Sequence, residues 1–236
     1  MHILINGWFT GQQSAGSEQY LYYLLPHLHD LIPLLLADYR GGILNRLYTA
    51  LVAFTTRRAA SIITVSHASK RDIVAHLHVP EERVHVVYHG PNVEMKANQT
   101  TQEQLRSKYN LPERYFLYLG GFDVRKNLRA ILTAYKHYLE HNGDPSIKLV
   151  IAGKLPQFDS PFMPDPRRIA AELALNEQVH FCGWVDDQDK MLLYAGAIAY
   201  LFPSLYEGFG MMILEAQAAG VPLLTSQKSA NFTEIS

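Results

Sequence analysis

The stretch PSLYEGFGMMILEA, residues 203–216, sets two carboxylates, Glu207 and Glu215, around a Gly208-Phe209-Gly210 step. Glycines between a strand and a helix let backbone approach a ligand closely, and the helix start points free N–H groups outward. Such a step suits an anion, above all a phosphate. A carboxylate accepts hydrogen bonds from two adjacent hydroxyls, as on a sugar. Two carboxylates flanking an anion site therefore fit two polyols joined through phosphates: a ribose, a diphosphate and a hexose. The same residues also admit a plainer account. Ser204 and Glu207 fit the S-x-x-E capping box, and Glu215 fits a solvated helix position.

A second cluster shifts the balance. In LGGFDVRKNL, residues 119–128, the adjacent cations Arg125 and Lys126 follow a strand and open a helix. Ligands of parallel sheets bind at that end of a strand. Cations placed there stabilise the charge that builds on a departing diphosphate. The competing account is a solvent-facing pair, since cations at a helix N-terminus oppose its dipole.

These residues need a scaffold, and the pattern supplies one. HILIN reads as a buried strand, and Tyr20, Leu21, Leu24, Leu25 and Leu28 recur at helical spacing after the candidate cap Ser17. A helix is predicted over 42–59, a strand at 61–65, a helix from its cap Ser66 to Leu77, and a strand at 84–88. Residues 90–104 are polar and without period, the best linker candidate. Beyond them, strands are predicted at 115–119, 147–152, 179–182, 197–202 and 221–225. Helices are predicted between them at 127–142, 166–175, 187–195 and 210–219. Short apolar strands alternating with helices indicate a parallel sheet covered on both faces.

Composition narrows the partners. The chain has 236 residues, 48% of them hydrophobic, enough for a real core. A net charge of −1 gives no global pull toward nucleic acid. The single cysteine, Cys182, cannot form an internal disulfide and suits a reducing, cytoplasmic setting, where it reads as a small core residue. No signal peptide and no membrane span is legible. Arg57, Arg58, Lys70 and Arg71 make a basic region, either a solvated face or a patch for peripheral membrane contact. DDQD at 186–189 contains D-x-D, but it opens a helix and reads as capping. The histidines show no metal pattern, so no metal site is expected.

RKN, FCGWV and FPSLYEGFGMMILEAQAAGVP resemble the retaining glycosyltransferases of family 4, which have the GT-B fold. The resemblance covers nearly all of residues 40–236, with a weaker match at 1–28. It implies an α/β, GT-B-like architecture of two Rossmann-like parallel-sheet domains, the first incomplete. These would be an acceptor-side domain at 1–95 and a nucleotide-sugar donor domain at 96–236. By resemblance, Arg125 and Lys126 hold the donor diphosphate, Glu207 contacts the transferred sugar and Glu215 the ribose. Gly208, Phe209 and Gly210, with Met211 at the helix start, line the sugar and phosphates. Phe181, Gly183, Trp184 and Val185 lie near the base. In the first half, Gly16 matches a glycine facing the phosphates, and His29 and Asp30 a pair lining the sugar pocket.

The implied reaction moves a hexose, with mannose one candidate, from a nucleotide diphosphate sugar to a glycan or lipid-linked acceptor hydroxyl, with retention. It needs no metal, no cofactor beyond the co-substrate, and no enzymic nucleophile. The leaving phosphate takes the acceptor proton, and Arg125, Lys126, Glu207 and His29 form the catalytic set. Two other readings stay open: a non-catalytic nucleotide-sugar-binding fragment, and a nucleotide-sugar epimerase on the same fold. A dinucleotide dehydrogenase is disfavoured, because Gly7, Gly11 and Gly16 do not fall in G-x-G-x-x-G.

There are departures from the family pattern. Gly121 stands where many members carry arginine, and Met211 and Met212 replace smaller or aliphatic residues. In the first half, LYYLLPHL runs straight into HDLIP, whereas the family separates the two. The expectation is an internally shortened, C-terminally truncated member, with a compact intact variant as the alternative.

Overall fold

The computed structural model describes residues 31–35, 43–88 and 100–226. The strand HILIN, the cap Ser17, the helix through Tyr20 to Leu28, and Gly16, His29 and Asp30 lie outside the described residues. The chain divides into two units. The first comprises Met1–Asn92, Tyr206–Met211 and Lys228–Ser236, and the second Val93–Leu205 and Met212–Gln227.

In the first unit, the order is α1 (Ile32–Leu35), α2 (Ile43–Thr56), β1 (Ile62–Thr64), α3 (His67–Leu77) and β2 (Val84–Val86). β1 and β2 pair in parallel, Ile62 opposite Val84. Their apolar side chains, with Leu31, Ala53, Ile73 and Leu77, form this unit's core. Ser66 caps α3 as its position predicts. Its backbone is extended, and its hydroxyl accepts the Ser69 N–H at 3.0 Å.

The second unit holds a five-stranded parallel sheet of order β5-β4-β3-β6-β7. The strands are β3 (Arg114–Leu119), β4 (Ile147–Ala152), β5 (Val179–Gly183), β6 (Ala199–Phe202) and β7 (Leu223–Thr225). The central strands are near-continuous apolar runs because helices cover both faces. α5 (Leu128–Glu140) buries Leu128, Ile131, Leu132 and Tyr135, the i, i+3, i+4, i+7 stripe of a helix lying on a sheet. α6 (Pro166–Glu172) carries proline in its first turn behind the cap Asp165. α7 (Asp187–Ala195) and α8 (Met211–Ala218) complete the set.

One element overturns the sequence reading. Residues 102–104, assigned above to the linker, begin the helix α4 (Gln102–Tyr109). Thr101 and Gln104 close a full capping box at its start. The helix buries only Leu105, so it carries no apolar stripe to betray it.

Candidate functional site

In the second unit the strand order reverses at β3. The chain steps outward through β4 and β5, then returns to place β6 on the other side of β3. Ligands of open parallel sheets bind outside the carboxyl ends of the strands at such a reversal. The segments that leave β3 and β6 at this point are 120–127 and 203–210, the two clusters singled out from the sequence.

The first segment is a fixed turn. Val124–Lys126 form one turn of 3-10 helix, closed by Asn127 in the left-handed region at φ 57°. The Leu205 N–H donates to the Arg125 carbonyl at 2.9 Å, and Asn127 Nδ2 donates to the Pro203 carbonyl at 3.3 Å. These bonds tie the two strand exits together. Arg125 Nε lies 3.4 Å from Asp123 Oδ1, with both side chains mostly shielded. Lys126 is only 7% exposed, and its Nζ sits 4.9 Å from the centre of the Phe202 ring. A solvent-facing pair is therefore not what the sequence encodes here. Two cations are held inside the unit at the carboxyl end of its central strand. The Val124 N–H donates to the Phe162 carbonyl at 2.8 Å, which fixes the turn from the other side.

The second segment leaves β6 through Ser204, whose hydroxyl is buried without a hydrogen-bond partner among the described residues. α8 begins at Met211, seven residues on, so Ser204 and Glu207 do not form a capping box. Tyr206–Met211 belong to the first unit, where α3 holds them. The Tyr206 hydroxyl donates to Asp72, and Ser69 Oγ donates to the Gly208 carbonyl at 3.2 Å. The rings of Phe209 and Tyr88 lie 6.0 Å apart. Gly210 has φ 88°, a conformation open to glycine, just before the first helical residue, Met211. Glu207 is 7% exposed. A carboxylate that shielded is not a solvated surface residue.

Glu215 lies in the second turn of α8, in the second unit, and is half-buried rather than solvated. The hydroxyl of Tyr194, itself fully buried on α7, donates to Glu215 Oε2 at 3.1 Å. Burial raises the Glu215 carboxyl above its ordinary range. The Lys190 charge and the Tyr194 bond pull it back, and the Asp187 charge adds to the rise. Among the described residues Oε1 accepts no hydrogen bond.

Phe181 and Gly183 are half-buried at the end of β5. Trp184 follows at 55% exposure, with Lys190 Nζ 6.0 Å from its ring, and Val185 is buried. Unit two thus brings Arg125, Lys126, Phe181, Gly183, Trp184, Val185 and Glu215 onto one sheet with its flanking turns and helix. Glu207 to Gly210 pack within the first unit.

Two smaller readings change. Asp186 occupies the N-cap position of α7 but makes no cap bond. Asp186 and the buried Asp189 instead take Lys108 Nζ at 2.6 and 2.7 Å, and Tyr109 adds a bond to Asp189 at 2.8 Å. Cys182 is half-buried rather than core, and burial pushes its thiol up to about 11. Asn127 and Tyr194 were not singled out as site residues. Asn127 was visible as the third letter of RKN, whereas nothing in LLYAG marks Tyr194. Among the described residues no three His, Cys, Asp or Glu side chains gather as metal ligands would. No helix among them is long and apolar enough to cross a membrane.

Comparison with known proteins places the chain in a family. Residues 101–235 match the family described as glycosyl transferases group 1, and residues 16–95 match glycosyltransferase family 4. A glycosyltransferase of Methanocaldococcus jannaschii is 31% identical over 183 residues, which is 75% of this chain and 45% of that one. A serotype-specific mannosyltransferase of Escherichia coli is 29% identical over 209 residues, 84% of this chain and 24% of that one. The chain therefore spans a quarter to a half of the length of these relatives. Among solved structures, the Anabaena protein HepE, in complex with UDP and glucose, superposes with a TM-score of 0.66. It is 19% identical, and the match covers 86% of this chain and 52% of HepE. That likeness shows the fold, which is of the GT-B type.

Proposed function

The chain belongs to the group 1 glycosyl transferases, and from that premise we propose that it binds a nucleotide diphosphate sugar and serves transfer of its hexose to an acceptor hydroxyl with retention. A mannose donor is favoured by the mannosyltransferase among the relatives. The observation that carries the reading is the locked turn at residues 123–127. It sets Arg125 and Lys126 at the carboxyl end of the central strand, tied to the exit of β6. In this reading the two cations take the diphosphate and stabilise its charge as the sugar departs. The leaving phosphate takes the acceptor proton. Glu207 contacts the sugar, Glu215 accepts the ribose hydroxyls, and the segment Phe181 to Val185 borders the base. Gly16, His29 and Asp30 complete the set from the first half. Acceptors are glycans or lipid-linked glycans, met at a membrane surface from the cytoplasm.

The cations and the helix start at Gly210 replace a metal ion as the positive charge, so a chelator should leave donor affinity unchanged. Titration calorimetry with a panel of nucleotide sugars tests the reading. Arg125→Met or Lys126→Met should each lose charge-assisted bonds of about 1.5–3 kcal/mol, roughly 10- to 150-fold in affinity. Wild-type affinity in both variants would remove the diphosphate from this turn. The anomer formed, read by NMR, decides retention. A second reading is donor binding without transfer, and turnover measured beside binding separates the two.

A further inference from the structure

A carboxylate that must accept ligand hydroxyls has to keep a fixed rotamer and an oxygen free. Glu215 is long, sits on an eight-residue helix, and packs among groups of mixed charge. From α7 it is faced by Tyr194, by Lys190 and by Asp187, the last two paired with each other at 2.5 Å. From β3, the Tyr118 hydroxyl acts on Tyr194 in turn. Tyr194 is the only one of these with a hydrogen bond to Glu215 among the described residues.

Tyr194 is itself rigidly held. It is fully buried, and its ring meets Tyr200 edge-on at 5.0 Å between centres. Tyr200 is anchored by its hydroxyl to the Leu119 carbonyl at 2.9 Å, the last residue of β3. A chain of contacts therefore runs from the strand that leads to Arg125 and Lys126 to the carboxylate on α8.

We propose that Tyr194 is a positioning residue for Glu215: its hydroxyl fixes Oε2 and so keeps Oε1 presented to the sugar hydroxyls of a nucleoside diphosphate. The inference rests on the assignment of Glu215 to the donor made above. The Tyr194 hydroxyl donates more strongly to the carboxylate than to the protonated carboxyl, so it also favours the charged form against burial.

The test uses the full chain and two readouts. The first is the ligand-free titration of Glu215, followed by NMR on carbon-13-labelled glutamate and assigned with Glu215→Gln. In Tyr194→Phe the Glu215 midpoint should move to higher pH. The second is the Kd for ADP, CDP, GDP and UDP by calorimetry at pH 6 and pH 8. For the tightest of the four, Tyr194→Phe should weaken binding by roughly 2- to 10-fold, the worth of one hydrogen bond, and by more at pH 6 than at pH 8. A merely structural tyrosine would move thermal stability without moving the titration. Loss of affinity in Glu215→Ala beside an unmoved midpoint and unchanged Kd in Tyr194→Phe overturns the inference alone. Unchanged Kd in Glu215→Ala, or no binding of any of the four, overturns the donor assignment and the inference with it.

Discussion

Glu215 is pulled two ways by its surroundings. Burial disfavours its charge, while Tyr194 and Lys190 favour it, and the net effect is a raised carboxyl. This has a consequence for stability that requires no ligand. Across the window from the ordinary carboxylate value up to the raised one, the folded state binds more protons than the unfolded state. Stability must therefore fall as pH rises through that window. We expect urea unfolding of the ligand-free protein to show this slope, and Glu215→Gln to flatten it. Equal slopes in the two proteins would mean that Glu215 is not strained by burial. The position of Glu215 beside a glycine step was legible in the sequence, because residue types and spacing are local. The Tyr194 bond was not, since it joins residues of two helices, 21 positions apart, and leaves no local mark. The same limit applies to Ser69 and Asp72, which hold the glycine segment from 139 and 134 residues away.

The strands were readable because a parallel sheet buried on both faces demands unbroken apolar runs, and YFLYL and IKLVIA are such runs. The helix α4 was not, because a capped polar helix with one buried leucine has no period to detect. It is held by tertiary bonds instead, Lys108 to Asp186 and Asp189, and Gln102 Nε2 to the Leu192 carbonyl at 2.8 Å. At the carboxyl edge of the sheet, Gly153 ends β4 with φ 139°. A Cβ there would lie 2.2 Å from the Gly120 carbonyl oxygen, at the exit of β3. That oxygen is backbone and cannot swing aside. Gly153→Ala should therefore combine a strained conformation, costing about 1–3 kcal/mol, with displacement of the β3 exit that leads to Arg125 and Lys126. Thermal unfolding should drop, and affinity for nucleoside diphosphates should drop with it. A variant as stable as wild type would show that the two strand ends spread freely.

The two units differ in how far their described residues complete a domain. The second has a five-stranded sheet and bears most of the residues assigned to the donor. The described part of the first has two paired strands. Its helix α2 leaves Ile43, Leu44, Leu47, Leu51 and Phe54 between 50% and 82% exposed. A row of that kind is more than a monomer's surface usually carries, so self-association at micromolar concentration is expected. Transfer asks more of the molecule than binding does. The acceptor hydroxyl must be held within attack distance of the sugar carbon, and a misplacement of ~1 Å can cost about 100-fold. The donor binding proposed above makes no such demand on an acceptor. We therefore expect residues 1–236 to bind nucleotide sugars with little or no turnover. A radiolabelled donor, a broad pool of glycan and lipid-linked acceptors, and the Escherichia coli mannosyltransferase as the positive control make the test. Turnover near that of the relative would show that this chain positions an acceptor, and the reading of donor binding without transfer would fall.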